Sequence, residues 1–152
     1  MNYEIVTLKE KTIVGLAART SNTAPDMGAV IGGLWQQLFE EGLFFSIANK
    51  VNDFAVGLYS DYSGSAHEEY EVTVGCEVTQ ISSPPKGMVK KVIPQGRYAK
   101  FVVFGDQVKA VSDAWAEIWA MPLSRSYTGD FEEYVSNDGS GNCEVNIYVA
   151  LQ

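Results

Sequence analysis

Tyr70-Glu71-Val72-Thr73-Val74-Gly75-Cys76-Glu77-Val78 alternates between two sets of positions, Tyr, Val, Val, Cys, Val on one and Glu, Thr, Gly, Glu on the other. Successive strand side chains point to opposite faces, so a period of two marks a half-buried β-strand. Near the end of the chain, Cys143 to Leu151 repeats the pattern, with Val145, Ile147 and Val149 on the apolar side. Glu71-Val72 and Glu144-Val145 stand at corresponding places in the two strands. Working backwards from each strand gives the same order of elements twice.

In the first half, residues 3–8 and 12–19 are extended around the turn Lys9-Glu10-Lys11. Pro25-Asp26 starts a helix, proline being suited to a first turn. Met27, Val30, Ile31, Leu34 and Leu38 follow at helical spacing and predict one buried face, and Gly42 lies close to the helix end. Residues 54–60 form a third strand, and a polar loop from Asp61 to Glu69 leads to the fourth. In the second half, residues 88–93 and 97–104 are extended around Pro94-Gln95-Gly96. A helix from about Asp106 to Ala120 presents Val108, Val111, Trp115, Ile118 and Trp119, and Pro122 marks its exit. A short strand over 131–135 and a turn over 137–141 precede the last strand. Trp35 and Trp115 each fall late on their helices, and Phe54 and Phe131 each open a third strand.

The expected fold is α+β: duplicated βαββ units forming a mostly antiparallel sheet with two main helices on one face. One domain is expected over 1–152, with pseudo-repeats at about 1–81 and 86–152. The break Ser82-Ser83-Pro84-Pro85 is too short for a flexible linker between domains. The seam between the halves is then a natural cleft.

Composition narrows the function. The formal charge is −8, from 19 acidic and 11 basic residues, and Lys90-Lys91 is the one adjacent basic pair. A phosphate-coated partner would be repelled, which argues against direct DNA binding. No run reaches the ~18 apolar residues of a membrane helix. Met1-Asn2-Tyr3-Glu4 lacks the basic start of a secretion signal, so a cytoplasmic location is expected. Cys76 and Cys143 fall in apolar strand patterns, where cysteine acts as a small core residue. The lone histidine, His67, makes neither a metal cluster nor a catalytic triad, so no metal, cofactor or catalytic residue is expected.

Chemistry is concentrated in the aromatic residues, 12% of the chain, and in Asp130-Phe131-Glu132-Glu133-Tyr134. Trp35, Trp115 and Trp119 lie on the helices expected to flank the cleft. They serve either as core fillers or as flat walls for a planar or cationic ligand. Alternation places Glu132 and Tyr134 on one strand face, and Phe131, Glu133 and Val135 on the other. The plain reading is charge on an exposed strand edge. The sharper one is an inward glutamate on the floor of an apolar pocket, its pKa raised while the pocket is empty.

Pro94-Gln95-Gly96-Arg97-Tyr98-Ala99 (against "I-P-x-G-x-Y-A"), Trp115, Phe131-Glu132-Glu133-Tyr134 ("F-E-x-Y") and Ile147-Tyr148-Val149-Ala150 occur in the order found in one family. Over essentially its whole length the chain resembles the GyrI-like small-molecule-binding domain, which is also the effector-binding module of AraC-type and MerR-type multidrug regulators. The resemblance implies a twofold-repeated fold whose central pocket takes bulky, often cationic, hydrophobic compounds against an acidic counter-charge. By its place in the motif that acid is Glu132, with Tyr134 beside it; Glu133 and Glu144 are the alternatives. Trp35, Trp115, Trp119, Tyr59 and Tyr148 complete the candidate ligand-binding set.

The chain leaves no residues for the helix-turn-helix of such regulators, so a free-standing domain for drug sensing or sequestration is expected. Its expected partners are small hydrophobic or cationic organic ligands. A homodimer, a separate regulator chain or gyrase are the macromolecular partners to consider. Two other functions stand beside this one: a GyrI-like hydrolase of reactive small molecules using Glu132 and a tyrosine, and a gyrase-inhibitor-like interaction module engaging a basic patch through its acidic surface.

Overall fold

The computed structural model describes residues 1–64, 68–80, 83–137 and 142–152. His67, Ser82 and most of the expected 137–141 turn lie outside the described residues. The strands are β1 (Glu4–Leu8), β2 (Lys11–Thr20), β3 (Lys50–Ser60), β4 (Tyr70–Val78), β5 (Val89–Ile93), β6 (Gly96–Asp106), β7 (Asp130–Asn137) and β8 (Asn142–Ala150). The helices are α1 (Met27–Glu40), α2 (Leu43–Ser46) and α3 (Lys109–Trp119). The short α2 had no signal in the sequence beyond Gly42, whose φ of +69° turns the chain between α1 and α2 at a position glycine tolerates freely.

All eight strands join one antiparallel sheet in the order β1-β6-β8-β7-β3-β4-β2-β5. Exchanging β1–β4 with β5–β8 turns this order into its own reverse, so the topology is twofold, with β3 and β7 paired at its centre. Each βαββ unit (β2-α1-β3-β4 and β6-α3-β7-β8) is preceded by one more strand, and these two strands cross over. β1 pairs with β6 of the second unit, and β5 pairs with β2 of the first.

Register fixes which side chains share a face. Leu16 lies opposite Val74, Val74 opposite Gly57, Gly57 opposite Glu132, Glu132 opposite Ile147, and Ile147 opposite Phe101. This row faces the helices. On its first-half side, Leu34 and Leu38 of α1 are buried against Val14, Val72, Val74 and Cys76. On the other side, Val111, Ala114, Trp115 and Ile118 of α3 are buried against Phe101, Val103, Val145 and Ile147. Each buried aliphatic side chain contributes roughly 1.5–3 kcal/mol, so the two helices are anchored separately, one over each half. The opposite sheet face has its own core, in which Ile13, Val56, Leu58, Ile93, Tyr98, Phe131 and Tyr148 pack together.

β2 and β4 approach closely where Gly15 lies opposite Gly75. A Cβ at Gly15 would stand 2.0 Å from the Val74 carbonyl oxygen, and one at Gly75 would stand 1.9 Å from that of Val14. Only glycine fits both positions. Cys76 and Cys143 are buried in their strands, and burial pushes the Cys76 thiol up to about 11. Among the described residues no helix is long and apolar enough to cross a membrane, and no cluster of His, Cys, Asp and Glu has the makings of a metal site.

The helix faces are narrower than their sequence spacing predicts. Val30 and Ile31 are half-buried, and Val108 is 73% exposed at the position before α3. The helices are anchored by their outer rows of apolar residues. Much of the remaining apolar surface looks into a cavity rather than into packed core.

Candidate ligand-binding site

Between α1 and α3, above the central strands, lies a cavity of about 920 Å³. That volume is in the range of ligand pockets, about 300–1,000 Å³. It is hollow for a reason visible in α1. Met27, Ile31, Trp35 and Phe39 line it as one ridge at i, i+4 spacing, and Gly28 and Gly32 occupy the adjoining row. A Cβ built on either glycine meets nothing within 4 Å. Glycine inside a helix costs about 1 kcal/mol relative to alanine. Two of them on the cavity face therefore give up helix stability in exchange for open space.

Aromatic rings wall the cavity from both helices. Trp35 meets Tyr134 edge-on at 5.3 Å, and Trp115 meets Tyr59 edge-on at 5.6 Å. Because Gly57 pairs with Glu132, exchanging the two halves takes Tyr59 to Tyr134, and the two tryptophan–tyrosine pairs are counterparts. Outside them, Phe39 stacks on Trp35 at 6.2 Å and Trp119 leans on Trp115 at 6.5 Å. Both outer rings are partly exposed, at 44% and 48%, and form the rim.

The symmetry breaks at its centre. One central strand carries Gly57 and the other carries Glu132. A Cβ on Gly57 would lie 3.1 Å from both the Glu132 Oε1 and the Trp35 ring, so the missing side chain is what lets the carboxylate lie there. Glu132 is 2% exposed. Its Oε2 accepts hydrogen bonds from the Trp115 Nε1–H at 2.6 Å and the Tyr59 hydroxyl at 2.9 Å, and its Oε1 accepts one from the Tyr134 hydroxyl at 2.9 Å. All three donors are neutral, and no salt bridge among the described residues includes Glu132. Burial raises its pKa against the opposing pull of those three bonds. The same burial, with the adjacent carboxylate, pushes the Tyr59 and Tyr134 hydroxyls well above their ordinary value, so they act as donors.

Asp130, two residues earlier on the same strand face, has a different environment. It is fully buried, and Oδ2 receives the Arg125 guanidinium at 2.6 Å and the Tyr62 hydroxyl at 2.6 Å. The Ala150 backbone N–H donates to Oδ1 at 2.7 Å. The Asp130 charge is thus neutralised within the protein, whereas Glu132 has polar partners but no cation. Sequence reading missed this pair because Arg125 lies in the aperiodic segment after Pro122. The available signal was Asp130 itself, a carboxylate in step with Glu132 on the buried face. The two cavity glycines were also missed; their i, i+4 spacing inside an otherwise amphipathic helix was the sign.

Of the residues singled out from the sequence, the cavity brings together Glu132, Tyr134, Trp35, Trp115, Trp119 and Tyr59. It does not include Tyr148. Tyr148 pairs with Phe131, stacks on that ring at 4.5 Å, and belongs to the core on the far side of the sheet. The alternation that turns Val145, Ile147 and Val149 toward the helices necessarily turns Tyr148 away. Val135 is a second correction. A register shift between Tyr134 and Ser136 breaks the alternation, and Val135 lines the cavity with Tyr134. Glu133 and Glu144, the other glutamates considered, are not among the cavity-lining residues.

A twofold sheet with two helices astride an aromatic cavity defines a GyrI-like small-molecule-binding domain. Within that class, residues 4–151 match the Cass2 family of integron-associated effector binding proteins, and the chain belongs to that family. An integron cassette protein from the mobile metagenome of Vibrio cholerae is 30% identical, with a TM-score of 0.73 over 99% of this chain and 95% of that one. The fold is shared with SAV2435 in its structure bound to tetraphenylphosphonium (18% identity, TM-score 0.73, covering 98% and 94% of the two chains). It is shared too with the EcmrR C-terminal domain (14% identity, TM-score 0.62, covering 100% and 99%). Among curated proteins, none matches the chain. As a member of that family, the chain is an effector-binding domain for small molecules.

Proposed function

We propose that the cavity binds lipophilic organic cations, with Glu132 as their counter-charge, in a cytoplasmic protein that senses or sequesters such compounds. The observation that carries this reading is the contrast between two buried carboxylates on one strand. Asp130 already has Arg125, whereas Glu132 has three neutral donors and an aromatic enclosure. A buried ionised carboxylate without a cation is costly, and an arriving cation relieves that cost where a neutral molecule leaves it in place. The rings of Trp35, Trp115, Tyr59 and Tyr134 supply apolar area together with cation–π attraction, worth about 2 kcal/mol for a desolvated contact. SAV2435, of the same fold, is bound to tetraphenylphosphonium, a ligand of this chemical class.

Tetraphenylphosphonium and tetraphenylborate share a shape and differ in the sign of their charge. In thermal unfolding, tetraphenylphosphonium is expected to raise the midpoint progressively with concentration, as mass action requires, while tetraphenylborate leaves it unchanged. Equal stabilisation by both ions would show that shape and apolar area alone select the ligand.

A further inference from the structure

Asp53 lines the same cavity as Glu132 but is exposed, at the opposite end from Arg125. The register orders the charges along the floor. Tyr59 of β3 lies opposite Asp130, which holds Arg125; Gly57 lies opposite Glu132; and Ala55 lies opposite Tyr134. Beyond Ala55 the pairing of β3 with β4 shifts register before Lys50, and within that irregular stretch Asp53 lines the cavity. The Glu132 carboxylate rests over Gly57, four residues from Asp53, so at ~3.3 Å per residue the two positions are at most about 13 Å apart. Ala55, the small residue between them, also lines the cavity.

Among the described residues, Arg125, Glu132 and Asp53 are the charged ones that line the cavity. Asp53 takes part in no salt bridge among the described residues. The nearest lysine along β3, Lys50, donates to the Ile47 carbonyl at 3.0 Å and lies 5.2 Å over the Phe44 ring, and forms no salt bridge with Asp53. A ligand anchored by one cation at Glu132 therefore meets a guanidinium in one direction and, in the other, a carboxylate outside any salt bridge among the described residues.

We infer that the cavity is a two-charge site, in which Asp53 at the mouth receives the second positive group of an elongated dication whose first is held by Glu132. The inference rests on the proposed role of Glu132 and extends it to a ligand class. Selection at the exposed end is weaker than at the buried end, because water screens a surface charge pair. It is also salt-sensitive, and the buried contact is much less so.

Calorimetric titration with decyltrimethylammonium, which has one cationic head, and decamethonium, which has two on the same ten-carbon chain, separates the ends of the site. The unaltered protein is expected to bind decamethonium more tightly. Asp53→Asn is expected to reduce decamethonium affinity about threefold, the usual scale for an exposed ion pair, and to leave decyltrimethylammonium unchanged. Asp53 is exposed, so this variant keeps its fold, which its unfolding midpoint verifies. Glu132→Gln is expected to weaken both ligands. If Asp53→Asn spares decamethonium, or weakens both ligands alike, the second subsite is wrong while the role of Glu132 stands. If decyltrimethylammonium binds Glu132→Gln as well as the unaltered protein, the underlying role of Glu132 is what fails.

Discussion

At the scale of single residues, Glu132 balances two opposing effects. Removal from water disfavours its charge, and three short hydrogen bonds favour it; burial is the larger, so its folded-state pKa lies above the unfolded value. A carboxyl with a raised folded pKa binds its proton more tightly in the native state. Its contribution to stability is full below the unfolded pKa and disappears as pH rises through the folded one. The empty protein should therefore lose stability as pH climbs out of the ordinary carboxylate range toward neutrality. Glu132→Gln, which keeps the shape and carries no charge, should remove that part of the slope and be more stable than the unaltered protein at neutral pH. Chemical denaturation across this pH range checks both points; a variant that is less stable at every pH would mean that the hydrogen bonds outweigh the desolvation. Ligand binding should run the other way. A cation requires the ionised form, so its affinity rises with pH through the same window.

At the scale of elements, α1 shows a compromise between stability and space. Its Trp35 ridge builds one wall, while Gly28 and Gly32 keep that wall set back. Gly32→Ala should stabilise the protein by about 0.8–1 kcal/mol, since the added Cβ meets open space and the helix gains a better former. Gly32→Phe should instead fill the cavity and weaken tetraphenylphosphonium binding with the fold intact. Unfolding and titration of the two variants test this, and a cavity still fully competent with phenylalanine at 32 would relocate the ligand.

Local pattern carried much of the fold at this scale. The alternation of β4 and β8, the apolar spacing of α1 and α3, and the order of elements were all legible because each depends on neighbours within one segment. Pairing was not legible. Nothing in Glu4–Leu8 or Val89–Ile93 says that each strand crosses to the other half, since pairing partners are chosen by tertiary contact. The site followed the same division. Glu132 and Tyr134 emerged from alternation and motif, whereas Asp130–Arg125 closes over five residues of irregular backbone, whose path no periodicity fixes. Val135 was misplaced because a β-bulge changes parity without a local signature.

At the scale of the whole molecule, the arrangement follows from one sheet with twofold topology. Two helices, each anchored over its own half, cannot both cover the central strands, and the uncovered middle is the cavity. Counterpart tryptophan–tyrosine pairs line it from both sides. At the centre, symmetry would place either two glutamates in mutual repulsion or two glycines without charge. The glycine–glutamate pair gives a single carboxylate with room to lie flat, held by donors from β3, α3 and β7. A cation bound there, as proposed, would draw on both halves at once.

The most direct test is calorimetric titration of tetraphenylphosphonium into the unaltered protein and into Glu132→Gln at neutral pH. Losing one member of a buried charge pair costs on the order of 3 kcal/mol, so the variant should bind about a hundredfold more weakly. Undiminished affinity in a correctly folded Glu132→Gln protein would contradict the account.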